Sequence, residues 1–121
     1  MDNIIYENSL VKVKLEKFEI PWIIIFAQDP IKEFSQASQE LKLEILRVLD
    51  IVEKEMLSYF EPTKINIASF GNYVPHLHFH IQARFKDDSF FPEPTWGKKQ
   101  RESKVKLKDM DSFLDNLRSK L

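Results

Sequence analysis

From Leu10 to Glu16 apolar and polar residues alternate, Val11, Val13 and Leu15 on one side and Lys12, Lys14 and Glu16 on the other, the pattern of a half-buried strand. Glu19 and Pro21 punctuate the chain before Trp22-Ile23-Ile24-Ile25-Phe26-Ala27, a continuous β-branched and aromatic run that predicts a central strand covered on both faces. After Asp29-Pro30 the period changes. Leu41, Ile45, Val48, Leu49, Val52 and Met56 recur at spacings of three and four, predicting one long helix over about residues 35–59, with Ser35 as N-cap and Pro62 as the stop. Residues 64–69 read as a third long strand, Gly71-Asn72 as a turn, and Pro75 introduces a fourth strand over about residues 76–85, so that these two strands form a hairpin. Residues 86–104 are polar and broken by Pro92, Pro94 and Gly97, which predicts a long loop. Asp109 can cap a final helix striped by Met110, Phe113, Leu114, Leu117 and Leu121. Together these elements predict a single α+β domain over residues 1–121, a mostly antiparallel sheet with the long helix on one face, a C-terminal helix, and the other sheet face left for use.

Composition narrows the function classes. A chain of 121 residues that is 43% hydrophobic and 31% charged can bury one core and resembles neither a disordered nor a membrane-spanning protein. Its 18 basic and 19 acidic residues leave a formal charge of −1, which argues against nucleic acid or an acidic membrane as partner. The absence of cysteine excludes disulfides, thiolate metal sites and cysteine nucleophiles. Met1-Asp2-Asn3 opens without a basic flank and sustained apolar stretch, and the longest apolar run is too short to cross a bilayer, so a cytoplasmic protein is expected.

The three histidines of the chain, His76, His78 and His80, fall within five positions on a predicted strand, so their side chains share one face while Leu77, Phe79 and Ile81 turn toward the helix. Packing explains such a row poorly. Crowded imidazoles cannot all be protonated near neutral pH, so their titrations couple: a neutral ring can attack and a charged one can hold an anion. That division suits phosphoryl or nucleotidyl transfer. His-x-His on a strand also presents two nitrogens to zinc, with Asp87, Asp88 or Glu93 as a further ligand, and no spacing chooses among these three. A metal-dependent hydrolase therefore stays open. Other residues carry two readings each: Asn72 is a phosphate contact or a turn former, Lys98, Lys99 and Arg101 meet a polyphosphate or only solvent, and Trp96 stacks on a base, seals a subunit contact or packs locally.

The segment His76-Leu77-His78-Phe79-His80-Ile81 resembles the signature of the histidine triad (HIT) proteins. Its flanks, Lys64-Ile65-Asn66-Ile67-Ala68, Gly71-Asn72, Val74-Pro75, Ala83-Arg84 and the stretch from Asp87 to Gly97, look like a bacterial branch of that family similar to dinucleoside polyphosphate hydrolases. The resemblance implies a HIT-like fold, a homodimer, no cofactor and a nucleotide as small-molecule substrate. It implies that His78 attacks an α-phosphate to form a transient nucleotidyl-histidine, that His80 contacts the phosphate and assists the leaving group, and that His76 helps position the row. It also makes Asn72 a phosphate contact and puts Asn66 near another substrate contact. Two positions depart from the family pattern: Trp22 stands where many members have a further histidine, and Gln82 where an apolar residue is usual. The early acidic residue that binds ribose in better-known members has no assigned counterpart. A non-catalytic nucleotide-binding or signalling module is the alternative from another class.

Overall fold

The computed structural model describes residues 3–121, so the reading of Met1 and Asp2 as free of a leader lies outside the described residues. Five strands, β1 (Ile4–Glu7), β2 (Val11–Leu15), β3 (Trp22–Ala27), β4 (Lys64–Ala68) and β5 (His78–Arg84), form one antiparallel sheet in the order β1-β2-β3-β5-β4. The long helix α1 (Gln39–Phe60) follows β3, and α2 (Met110–Lys120) ends the chain against α1 and β1. The α+β architecture is the one the hydrophobic pattern predicts. Among the described residues no helix is long and apolar enough to cross a membrane.

One sheet face makes the core. Val11 and Val13 of β2, Ile23, Ile25 and Ala27 of β3, and Ile81 and Ala83 of β5 are buried beside Leu41, Ile45, Val48, Val52 and Met56 of α1. The period of two in the strands meets the period of 3.6 in the helix along this face. By the same alternation, and with the register of the strands, Lys12, Lys14, Trp22, Phe26, His78, His80, Gln82 and Arg84 belong to the opposite, open face.

Several predicted boundaries change. The N-cap of α1 is Ser38, whose hydroxyl accepts from the Leu41 amide at 3.1 Å, and not Ser35. Ser35 lies inside a short 3₁₀ turn (Phe34–Gln36), where the Gln36 side chain accepts from the amides of Lys32 and Glu33 and holds the chain out of the helix. At the other end Glu61 adopts a left-handed conformation (φ 49°) and its amide returns to the Leu57 carbonyl, ending the helix one residue before Pro62. Asp109 caps α2 as expected. The fourth long strand begins at His78 rather than at residue 76, because the preceding segment bends away: the His76 amide closes on the Val74 carbonyl at 2.8 Å. Strand β1 has no counterpart in the sequence prediction, since its pairing with β2 carries a register shift between Ile4 and Tyr6 that blurs any alternation.

Candidate active site

Three hydrogen bonds fix the histidine rings. The His76 ring binds the Ala27 carbonyl through Nε2 at 2.6 Å, the His78 ring binds the His76 carbonyl through Nδ1 at 2.6 Å, and the Trp22 indole donates from Nε1 to Nδ1 of His80 at 3.0 Å. A carbonyl oxygen can only accept and an indole N–H can only donate, so each contact settles a tautomer. His78 carries its proton on Nδ1 and has a free lone pair on Nε2. His80 accepts at Nδ1, so in its neutral form the ring proton sits on Nε2. A nucleophilic nitrogen and a proton-donating nitrogen therefore stand on neighbouring rings whose centroids are 5.0 Å apart.

Packing holds these orientations. Phe26 stacks on His78 at 5.1 Å and 22°, while Trp22 and Trp96 meet His80 edge-on at 5.6 and 4.9 Å. The Ser69 hydroxyl donates to the His78 carbonyl at 2.6 Å, and Ala68 pairs with His80 across β4 and β5. Burial, and secondarily the neighbouring His78 ring, push the pKa of His80 from its ordinary 6.5 down to about 4. His80 is thus neutral at physiological pH and offers an N–H hydrogen-bond donor without carrying charge. The linkage has a definite sign: the unfolded chain takes up this proton more readily, so stability is greatest above pH 6.5 and falls as pH drops toward about 4. Denaturant melts between pH 7 and pH 4.5 should show wild type losing more stability on acidification than His80→Gln, and equal pH slopes would contradict the assignment.

His78 and His80 open into a cleft of about 290 Å³ walled by Phe70, Asn72, Tyr73, Val74 and Trp96. The turn that supplies most of this wall depends on Gly71, whose φ of 127° strains any residue with a Cβ and whose added Cβ would meet the Val74 carbonyl at 3.4 Å. Asn72 and Trp96 thus reach the same cleft as the histidines, with Trp96 45% exposed at its rim. Phe70 and Tyr73 were not singled out from the sequence, and Val74 was named only as part of the flank of the triad. Their signal was three apolar residues exposed in the turn just before the triad.

Other candidates sit elsewhere. Asn66 does not line the cleft: its side-chain oxygen accepts from Nη1 of Arg84 at 2.9 Å. Arg84 itself is buried and forms a two-point ion pair with Asp88, at 2.8 Å from Nε and 3.0 Å from Nη2. The Asp88 carboxylate also accepts the amides of Phe85, Phe90 and Phe91, so it has nothing left for a metal. Asp87 and Glu93 are exposed, and among the described residues no group of three or more His, Asp or Glu is placed to hold a metal ion. In the basic cluster, Arg101 donates to the carbonyls of Asp88 and Phe91 and Lys99 pairs with Glu102, so two of its three charges serve the loop.

That loop, residues 86–104, is tied down along its length. Ser89 donates to Glu19 from both amide and hydroxyl, and Gln82 donates to the Thr95 hydroxyl at 2.8 Å, next to Trp96. Gln82, which stands where an apolar residue is usual, lies on the same face as the histidines and anchors the cover over His80.

A family model for the HIT domain matches residues 1–87, which include the whole histidine row. The chain belongs to the HIT domain family. HIT proteins are in general nucleotide-binding hydrolases or transferases. The chain is similar to a solved histidine triad protein from Bradyrhizobium japonicum, with 28% identity, 97% of this chain and 88% of that one covered, and a TM-score of 0.79. A histidine triad protein from Sinorhizobium meliloti is 25% identical over 99% and 90% of the two chains (TM-score 0.78), and one from Marinobacter aquaeolei is 26% identical over 98% and 85% (TM-score 0.74). No curated protein is matched by the chain. In this HIT domain the indole of Trp22 makes the contact to the third histidine at the position where the sequence departs from the family pattern.

Proposed function

We propose that this HIT protein hydrolyses a nucleotide at its α-phosphorus through a covalent nucleotidyl-histidine on His78, acting on a dinucleoside polyphosphate or a nucleoside phosphoramidate. The arrangement of ring nitrogens carries this reading: His78 offers a free Nε2 lone pair and His80 a protonated Nε2 in one cleft. Nε2 of His78 attacks phosphorus in line and the bond to the leaving oxygen or nitrogen breaks; the Nε2–H of neutral His80 hydrogen-bonds the departing atom as its charge develops, and solvent supplies the proton that a basic leaving group finally takes. Water then cleaves the phosphorus–nitrogen bond: its oxygen bonds phosphorus, the electron pair of the broken bond returns to Nε2 of His78, and the released proton passes to solvent. His76 acts on His78 through its carbonyl, which holds the Nδ1 proton, and Asn72 donates its amide to a phosphate oxygen. Trp96, at the rim, covers the leaving portion. Asn66 serves as a support for Arg84.

Release of AMP from diadenosine tetraphosphate and from an adenosine phosphoramidate, with and without chelator, tests the proposal. Chelator-resistant release supports it, loss in chelator favours a metal-dependent hydrolase, and tight nucleotide binding without release favours a binding module. Trp22 gives a finer prediction. Trp22→Phe keeps the ring and removes the N–H, leaving Nδ1 of His80 free to take the proton. A loss of roughly 10- to 100-fold in kcat is expected with poor leaving groups, and little loss with a leaving group that departs unprotonated. Equal losses on both would remove the role of the indole.

We also propose a homodimer. Strand β4 is an edge strand with Ile67 48% exposed, and Phe34, Leu46 and Phe70 lie along the adjoining groove between α1 and the sheet. Light scattering on wild type and Leu46→Glu tests it.

A further inference from the structure

A second cleft, also of about 290 Å³, lies on the open sheet face toward β2, lined by Lys12, Lys14, Phe26, Gln28, Val74 and His76. It meets the first cleft at Val74, so the histidine row stands between them. The register places its two lysines on the same rungs as the reacting rings: Lys12 is opposite Phe26, which is opposite His78, and Lys14 is opposite Ile24, which is opposite His80. Each lysine is therefore two strand spacings, about 10 Å, from its histidine along the sheet.

Among the described residues neither lysine takes part in a salt bridge. Glu7, opposite Lys12 across β1 and β2, and Glu16, two residues beyond Lys14, pair with neither. Two cations beside a phosphate-handling row, with no carboxylate closed on them, form a receptor for a further anion. The Phe26 ring of this cleft has no face to offer a base: β3 lies between β2 and β5, and Phe26 is stacked by His78 on one side and covered by Lys14, whose Nζ is 5.2 Å from the ring centroid, on the other. The cleft selects charge rather than an aromatic group.

The direction of the chemistry then says which half of the substrate lies there, and this step rests on the proposed function. The departing group must pass the protonated Nε2 of His80 and so occupies the cleft under Trp96, leaving the β2 side to the nucleotide that stays on His78. We propose that Lys12 and Lys14 bind a second phosphate carried on the sugar of that retained nucleotide, making a nucleoside bisphosphate, with one phosphate at the 5′ position and another on the 2′ or 3′ hydroxyl, the preferred ligand class. The sugar spans from His78 toward the lysine rungs, and the two ammonium groups close on the sugar phosphate from β2.

Calorimetry at low salt with adenosine 5′-monophosphate, adenosine 5′-diphosphate and the 2′,5′- and 3′,5′-bisphosphates of adenosine tests this, on wild type and on a Lys12→Ala/Lys14→Ala double variant. The 5′-diphosphate has the same number of phosphates as the bisphosphates in a different place, so it separates position from charge. One bisphosphate should bind about 10- to 100-fold tighter than the monophosphate and tighter than the 5′-diphosphate. The gain should shrink with added salt and vanish in the double variant, whose affinity for the monophosphate is unchanged. The two bisphosphates distinguish the 2′ from the 3′ position. Monophosphate binding with no further gain from either bisphosphate, or a gain that survives in the double variant, would overturn this inference alone. Failure of all four nucleotides to bind would overturn the nucleotide reading of the site and this inference with it.

Discussion

Replacing His78 with Ala is expected to lower kcat by at least about 10⁴-fold while leaving the fold intact, because the covalent route loses its only attacking nitrogen. The side chain is 7% exposed but stands on the open face, away from the cluster of Ile81, Val48 and Met56 that holds α1 to the sheet. Steady-state assays with a circular dichroism control check this. His80→Gln should be milder, because attack survives without the proton donor, and its defect should grow as the leaving group becomes more basic. Loss of the same size in both variants on every substrate would mean that the two rings do not divide the work as their tautomers indicate.

Asp88→Ala is expected to cost about 3–5 kcal/mol of stability. The substitution leaves the buried Arg84 guanidinium without its two-point partner and strips the amides of Phe85, Phe90 and Phe91 of their acceptor. Burial works to raise the pKa of Asp88, but the Arg84 hydrogen bonds and these amides outweigh it and hold the value at about 2, below the ordinary 3.8. The contribution is therefore complete above pH 3.8 and lost as pH falls through about 2. Because the same loop carries Thr95 and Trp96 over His80, the variant should also lose activity at temperatures where it remains folded. Chemical denaturation of Asp88→Ala beside Arg84→Met/Asp88→Leu checks the origin of the cost: the double apolar variant should recover much of it.

The alternation of Val11, Val13 and Leu15 and the spacing of Leu41, Ile45, Val48 and Val52 made both faces of the core legible, because burial on one side writes a period into the sequence. The histidine row was legible for the same reason in His78 and His80, which are in phase on β5, whereas His76 precedes the strand. What stayed hidden depends on contacts between distant segments. Ser35 and Ser38 both precede the helix and both suit a cap, and only the Gln36 turn decides between them. Asn66 carried a polar side chain into the right region, yet Arg84, eighteen residues on, takes it. Trp22 looked like a lost histidine, and its meaning depends on a hydrogen bond to a ring fifty-eight positions away. The loop over residues 86–104 read only as a long loop because its anchors, Glu19, Gln82 and Arg84, leave no local pattern.

The most direct test of the covalent mechanism is to mix wild-type protein with a substrate labelled at the α-phosphate, quench in the millisecond range under conditions that preserve phosphorus–nitrogen bonds, and map the labelled peptide by mass spectrometry. The account predicts a nucleotidyl group on His78 that forms before product is released, decays at the turnover rate and is absent from His78→Ala. Normal turnover with no label on His78 at any time, or with label on another residue, would contradict it.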